Sequence, residues 1–98
     1  MPRPAKLSEA EIGDLLGAGG FAGWQVVDGK LHKTFKFPDF VGAWGFMSKA
    51  ALAAEKMDHH PDWSNVYNTV HVDLNTHDAG GVTVLDFELA RKMNELSP

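Results

Sequence analysis

The dipeptide Asp28-Gly29 lies between Trp24–Val27 and Lys30–Phe37 and commits that stretch of chain to an antiparallel hairpin. Both residues tolerate the positive backbone angles that a two-residue hairpin turn requires. In the second segment Leu31, Phe35 and Phe37 alternate with His32, Thr34 and Lys36, so one face is buried and the other meets solvent. A second pair of strands, Asp62–Val66 and Thr69–His77, reads around Tyr67-Asn68. There Val70, Val72 and Leu74 point one way, while Thr69, His71, Asp73, Asn75 and His77 point the other. Hairpin connections imply an antiparallel sheet.

The segments around the hairpins carry helix signals. Ser8 stands three residues before Glu11, the spacing of a capping box, and Leu7 and Ile12 stand where a hydrophobic staple puts them. Ile12, Leu15 and Leu16 then form a buried stripe, and Gly17 with Gly19-Gly20 ends the helix. Pro38-Asp39 opens a long helix over roughly Phe40–Asp58. Pro61 is expected to stop it, leaving His59 at or near the last turn and His60 extended before the proline. After the loop Asp78-Ala79-Gly80-Gly81, Thr83 caps a last helix with Asp86 three residues on, and Leu85, Leu89, Met93 and Leu96 form its core stripe. The order is α-β-β-α-β-β-α. The expected class is α+β, a four-stranded antiparallel sheet with three helices packed on one face, forming a single domain over residues 1–98.

The apolar residues of the long helix, Phe40, Val41, Trp44, Phe46, Met47, Leu52 and Met57, cover more of its circumference than one core-facing stripe needs. A domain of 98 residues encloses little, so a second copy of the chain is the expected cover and a homo-oligomer is predicted. The alternative is that the sheet and the flanking helices bury this helix alone.

Composition removes several functions. Thirteen acidic residues against nine basic ones give a formal charge of -4, and no Lys/Arg cluster offsets it, so nucleic acid is not an expected partner. The absence of cysteine excludes disulfides, thiolate chemistry and a Cys-based zinc site. Met1-Pro2-Arg3-Pro4-Ala5-Lys6 leads into a polar helix rather than an apolar signal core, and no apolar run approaches a membrane span. A cytoplasmic protein with no membrane contact is the expectation.

Three of the five histidines fall where the chain changes element. Glu55 and His59 are four apart near a helix end, so they can share a face and pair, with the carboxylate orienting the imidazole. His60 has its backbone direction set by Pro61, and His77 ends a strand ahead of a glycine-containing loop. Imidazoles titrate near neutrality and can supply both an acid and a base. Pro61 and Trp63 offer flat apolar surface for an aromatic ring. Each residue also has a plain structural reading: His59 as a cation at a helix C-terminus, His60 as an exposed pre-proline residue, His77 as a strand-end hydrogen-bonder. Asp86 reads foremost as a helix-start carboxylate, and His32 and His71 as solvent-facing strand residues without a role. A metal site built from His59, His60, His77 and Glu55 or Asp58 is the rival chemistry. Adjacent histidines rarely aim at one ion, and neither His-x-x-x-His nor His-x-His occurs, so no metal is expected.

The segment Glu55-Lys56-Met57-Asp58-His59-His60-Pro61-Asp62-Trp63-Ser64-Asn65-Val66-Tyr67, followed by Thr76-His77 and Asp86, resembles the pterin-4a-carbinolamine dehydratases. The family pattern of an acidic residue, His-His-Pro, an aromatic, a further His and a later Asp falls on Glu55, His59, His60, Pro61, Tyr67, His77 and Asp86. Trp24, Asp39-Phe40, Gly45-Phe46-Met47 and the Gly-x-Thr before Asp86 extend the likeness over nearly the whole chain.

The resemblance implies a hydro-lyase that takes the 4a-hydroxy-tetrahydropterin released by aromatic amino-acid hydroxylases and eliminates water, giving the quinonoid dihydropterin that a reductase recycles. It implies a homodimer or homotetramer, formed here through the long helix at about residues 40–58, with no metal and no bound cofactor. It makes His59, His60 and His77 the acid–base group, with Glu55 and Asp86 in support. Asp58, His59, His60, Pro61, Trp63, Asn75, Thr76, His77 and Asp78 are then the expected surroundings of the pterin. Some relatives also act as a dimerization cofactor of a transcription factor, and others resemble assembly chaperones of a carbon-fixing enzyme. That is the alternative function here, and the intact histidine set favours the enzyme.

Overall fold

A computed structural model describes residues 4–97, and Met1 to Arg3, read as part of the lead into a polar helix, lie outside them. The elements are α1 (Glu9–Gly17), β1 (Gln25–Val27), β2 (Lys30–Lys36), α2 (Phe40–Met57), β3 (Asp62–Val66), β4 (Thr69–Leu74), one 3₁₀ turn (His77–Ala79) and α3 (Val84–Leu96). The sheet is antiparallel throughout, in the order β1-β2-β4-β3. Each hairpin contributes one central and one edge strand, and the hairpins join along β2 and β4, where Leu31 faces Leu74 and Phe35 faces Val70. This is the expected α+β fold.

Local chemistry accounts for most element ends. Ser8 Oγ accepts from the Glu11 N–H while the Glu11 carboxylate accepts from the Ser8 N–H, closing the capping box of α1. That backbone hydrogen bond, followed by the one from the Ser8 side chain, lowers the Glu11 pKa from its ordinary value. In the β1–β2 turn Asp28 has φ 51° and Gly29 has φ 77°, as a primed turn requires.

Leu31, Phe35, Val70, Val72 and Leu74 form the covered face of the sheet, and residues of all three helices join one core cluster on that side. Leu89, Ala90 and Met93 bring α3 into its centre, while α1 contributes only the half-buried Ile12, Leu15 and Leu16. Trp24 precedes β1 rather than opening it. It is buried, and its Nε1 donates to Asn94 Oδ1. Asn94 also accepts from Lys33 Nζ, which lies 4.5 Å from the Phe35 ring centroid. Lys33 thus continues the inward-facing row of β2 at its rim, and burial lowers the lysine's pKa from its ordinary value.

One expectation about α2 is corrected. The helix ends at Met57, and the stop is not Pro61 but Asp58 in the left-handed conformation, with φ 52° and ψ 42°. The Asp58 N–H returns to the Glu55 carbonyl and the His59 N–H to the Ala54 carbonyl, which is a Schellman closure. His59 therefore lies beyond the helix and leaves the face that carries Glu55. Of the large apolar residues of α2, Phe46 is buried in the core and Met47 and Met57 pack against it. Ala43, Phe46, Ala50 and Ala54 are its buried residues, and the alanines let the helix approach the core closely. Phe40, Val41, Trp44 and Leu52 are exposed, Val41 and Leu52 at 77% and 75%.

Candidate active site

β4 also ends earlier than its alternation predicts, at Leu74 rather than His77. The chain then makes a closed loop. The Thr76 N–H donates to the Gly81 carbonyl at 2.8 Å, and the Thr76 carbonyl accepts from Ala79 and Gly80 at 3.0 Å. Gly80, at φ 77°, completes the 3₁₀ turn in a left-handed conformation that glycine adopts without steric cost. Outside this loop the Leu7 N–H donates to the Val82 carbonyl at 2.8 Å. His77 and Asp78 are therefore presented from a short, internally bonded turn rather than from a strand.

This loop faces the end of α2 across a cleft of about 180 Å³ lined by Asp58, His59, His60, Asn75, Thr76, His77 and Asp78. All three candidate histidines meet there. Pro61 and Trp63 are not part of the lining; alternation along β3 turns Trp63 toward the core, where it is half-buried. A larger groove of about 400 Å³ between α1 and β1 is mostly apolar, and Glu9 is the single titratable side chain in its lining, so it offers no acid–base pair.

The pairing of carboxylates with histidines differs from the expected one. Glu55 Oε1 lies 2.7 Å from Nε2 of His60, not against His59, and both side chains are exposed. The left-handed Asp58 is the reason, since it carries His59 off the helical face where an i,i+4 pair forms. His59 turns inward, and its Nε2 lies 2.5 Å from Oδ1 of Asp86. His59 is 6% exposed and Asp86 fully buried.

Asp86 does two things at once. Its Oδ2 accepts the Thr83 N–H at 2.9 Å, completing the capping box of α3, and the Thr76 hydroxyl at 2.9 Å. Its Oδ1 faces the histidine. The reading of Asp86 as a helix-start carboxylate is correct but covers one of its three bonds. Thr83 was legible only as a cap, although its hydroxyl also lies 2.7 Å from that of Thr76. The Thr83-x-x-Asp86 spacing signals the cap, and nothing local signals that the other carboxylate oxygen meets a histidine 27 residues away.

His77 is exposed at the mouth of the cleft. On the opposite face of the sheet His32 Nδ1 bonds Asp73 Oδ1 at 2.9 Å, and Thr34 Oγ1 lies 3.0 Å from His71 Nδ1. These two histidines share a polar network through Thr34 and do not line the cleft. Among the described residues no group of three or more His, Asp or Glu side chains is placed to hold a metal ion.

The sequence profile of the pterin 4 alpha carbinolamine dehydratase family matches residues 5–96. The chain belongs to the pterin-4-alpha-carbinolamine dehydratase family. A relative from Solibacter usitatus, provisionally named as such a dehydratase, is 55% identical over 92 residues, spanning 94% of this chain and 95% of the relative. One from Bradyrhizobium diazoefficiens, provisionally named in the same way, is 62% identical over 81 residues, or 81% of each chain. The crystal structure of a transcriptional coactivator/pterin dehydratase from Brucella melitensis superposes with a TM-score of 0.89 at 52% identity, covering 95% of this chain and 99% of that one. A pterin dehydratase-like RuBisCO assembly factor of the alpha-carboxysome shares the fold, with a TM-score of 0.65 at 20% identity over 81% of this chain and 94% of its own. Within this dehydratase family member, then, the motif histidines and the later aspartate occupy one cleft and the wall behind it.

Proposed function

We propose that this family member dehydrates a 4a-hydroxy-tetrahydropterin to the quinonoid dihydropterin by histidine acid–base catalysis. The observation that carries the reading is the convergence of His59, His60 and His77 on one cleft, with the first held by a buried carboxylate and the second by Glu55.

The substrate carries a hydroxyl on a carbon bonded to an N–H ring nitrogen. One imidazole removes the nitrogen proton, the nitrogen–hydrogen electron pair becomes the new carbon–nitrogen bond, and the carbon–oxygen bond breaks. A second imidazole, as imidazolium, gives its proton to the departing oxygen, which leaves as water. The protons balance, and no oxidant or reductant enters. Asp58, Asn75 and Asp78 offer hydrogen-bonding groups to the pterin edge. In this reading the substrate comes from an aromatic amino-acid hydroxylase in the cytoplasm, and the product returns to the tetrahydropterin through a reductase.

The test is a stopped-flow assay on chemically generated 4a-hydroxy-tetrahydropterin, following its absorbance decay at several protein concentrations. The proposal expects a decay rate that rises in proportion to protein, well above the appreciable spontaneous loss of water. A folded protein that leaves the spontaneous rate unchanged would falsify it and favour a protein-binding role, as the coactivator and assembly-factor names of two relatives suggest.

Association belongs to the same proposal. Phe40 and Trp44 stack at 6.3 Å on the solvent side of α2, beside exposed Val41 and Leu52. Apolar side chains of this size on one helix are the substance of an interface between copies. The double variant Trp44→Asp/Leu52→Asp is expected to sediment as a monomer where the wild type sediments as a dimer or tetramer. A monomeric wild type, or an unchanged oligomer in the variant, rejects this interface.

A further inference from the structure

The hydrogen bonds behind the cleft form a chain whose direction can be worked out proton by proton. The peptide N–H of Thr83 is a fixed donor, and it points at Asp86 Oδ2. The Thr76 hydroxyl gives its only proton to the same oxygen. The Thr76 oxygen must then accept the Thr83 hydroxyl proton, while the Thr83 oxygen accepts the Leu85 N–H at 3.2 Å. The carboxylate is thereby held in one orientation, with Oδ1 left for Nε2 of His59. An ionised carboxylate only accepts, so Nε2 must be the donor.

Nδ1 is then the remaining nitrogen of the ring. No side chain or peptide group among the described residues hydrogen-bonds it, and no buried side-chain nitrogen or oxygen among them lacks a partner, so Nδ1 opens to the cleft that His59 lines.

We infer that Nδ1 of His59 is the atom through which this histidine exchanges a proton with the substrate, and that Thr76 is a positioning residue, not a pterin ligand. The inference rests on the proposed dehydration for its kinetic part only. Thr76 lines the cleft, yet it is 3% exposed and its hydroxyl is engaged on both sides by Asp86 and Thr83. Its task is to keep Asp86 aimed, so that the His59 ring presents one tautomer and one edge. Outer partners of this kind, which orient a histidine without touching substrate, commonly carry 10–100-fold in activity.

The decisive substitution is Asp86→Asn. An asparagine must turn its oxygen toward the Thr83 N–H, because a peptide N–H cannot accept. Its amide N–H₂ then faces His59 and requires Nε2 to accept, which moves the ring proton to Nδ1. In ¹⁵N-histidine-labelled protein at a pH where the ring is neutral, the wild type should show His59 protonated on Nε2, and Asp86→Asn should show it protonated on Nδ1. The kcat for dehydration should fall by about 10²–10⁴-fold in that variant, with KM changed much less, as when a catalytic imidazole is left in the wrong tautomer. Thr76→Val should lower kcat by about 10–100-fold, and Thr76→Ser should recover most of that loss.

A wild-type His59 protonated on Nδ1 overturns the atom assignment. A Thr76→Val variant with kcat within twofold of wild type overturns the positioning role. Should Asp86→Asn fail to fold, the wild-type spectrum and the Thr76 pair still decide. The spectra need no turnover: a chain that dehydrates nothing but carries the Nε2 proton fails the proposed function alone, and one that dehydrates normally with an Nδ1 proton fails this inference alone.

Discussion

Replacing His77 with alanine is expected to slow the catalysed dehydration by about 10²–10⁴-fold, the contribution of a positioned acid or base. The thermal midpoint should stay within about 2–4 °C of wild type, because an exposed side chain contributes at most a few tenths of a kcal/mol. His77 suits this separation of activity from stability. It is exposed, it starts a 3₁₀ turn closed by main-chain hydrogen bonds, and alanine leaves those bonds in place. His60→Ala should behave similarly. Its Nε2 pairs with Glu55 at 2.7 Å between two exposed side chains, a contact that contributes little to the fold. Stopped-flow turnover and a thermal melt on the same preparations check both. Near-normal turnover in both variants would remove these histidines from the acid–base group, and a large drop in the melting temperature would mean that they serve the fold instead.

Asp86→Ala should give the largest stability loss of any single substitution at the site, about 3–5 kcal/mol, the usual cost of removing one partner from a buried, hydrogen-bonded pair. Three donors converge on this carboxylate: Nε2 of His59, the Thr76 hydroxyl and the Thr83 N–H. Alanine leaves all three without their acceptor in a region closed to water, and it removes the capping-box carboxylate of α3. A domain of this size commonly has only 5–15 kcal/mol in total. Urea unfolding of the variant should therefore show a midpoint shifted far down at an unchanged slope. A loss below about 1 kcal/mol, the size of an ordinary exposed cap, would mean that the buried bonds to His59 and Thr76 do not exist in solution.

How much of this was legible in the sequence depends on the distance over which each feature is decided. Capping boxes at Ser8–Glu11 and Thr83–Asp86, the Asp28-Gly29 turn and the alternation of Val70, Val72 and Leu74 are set within a few residues. They are local hydrogen bonds and local periodicity, so residue types at fixed spacing reveal them. The motif histidines are legible in the same way, as residues at element ends. What lies between those ends is not.

Tertiary structure decided which carboxylate meets which histidine. Glu55 was the local candidate for His59. The left-handed turn at Asp58, which Asp tolerates but does not dictate, sent His59 inward to Asp86 and left Glu55 to His60. It decided that Trp63 joins the core and not the cleft, and that three alanines and Phe46 carry the inner face of α2. It also placed β2 against β4, which brings the two hairpins into one sheet. Element order, the helix N-caps and the Asp28-Gly29 turn were determined by the sequence alone, because their energies arise between near neighbours. The partners of the site histidines were decided only by the fold, because a buried carboxylate takes whichever donors packing brings to it from segments far apart in the chain.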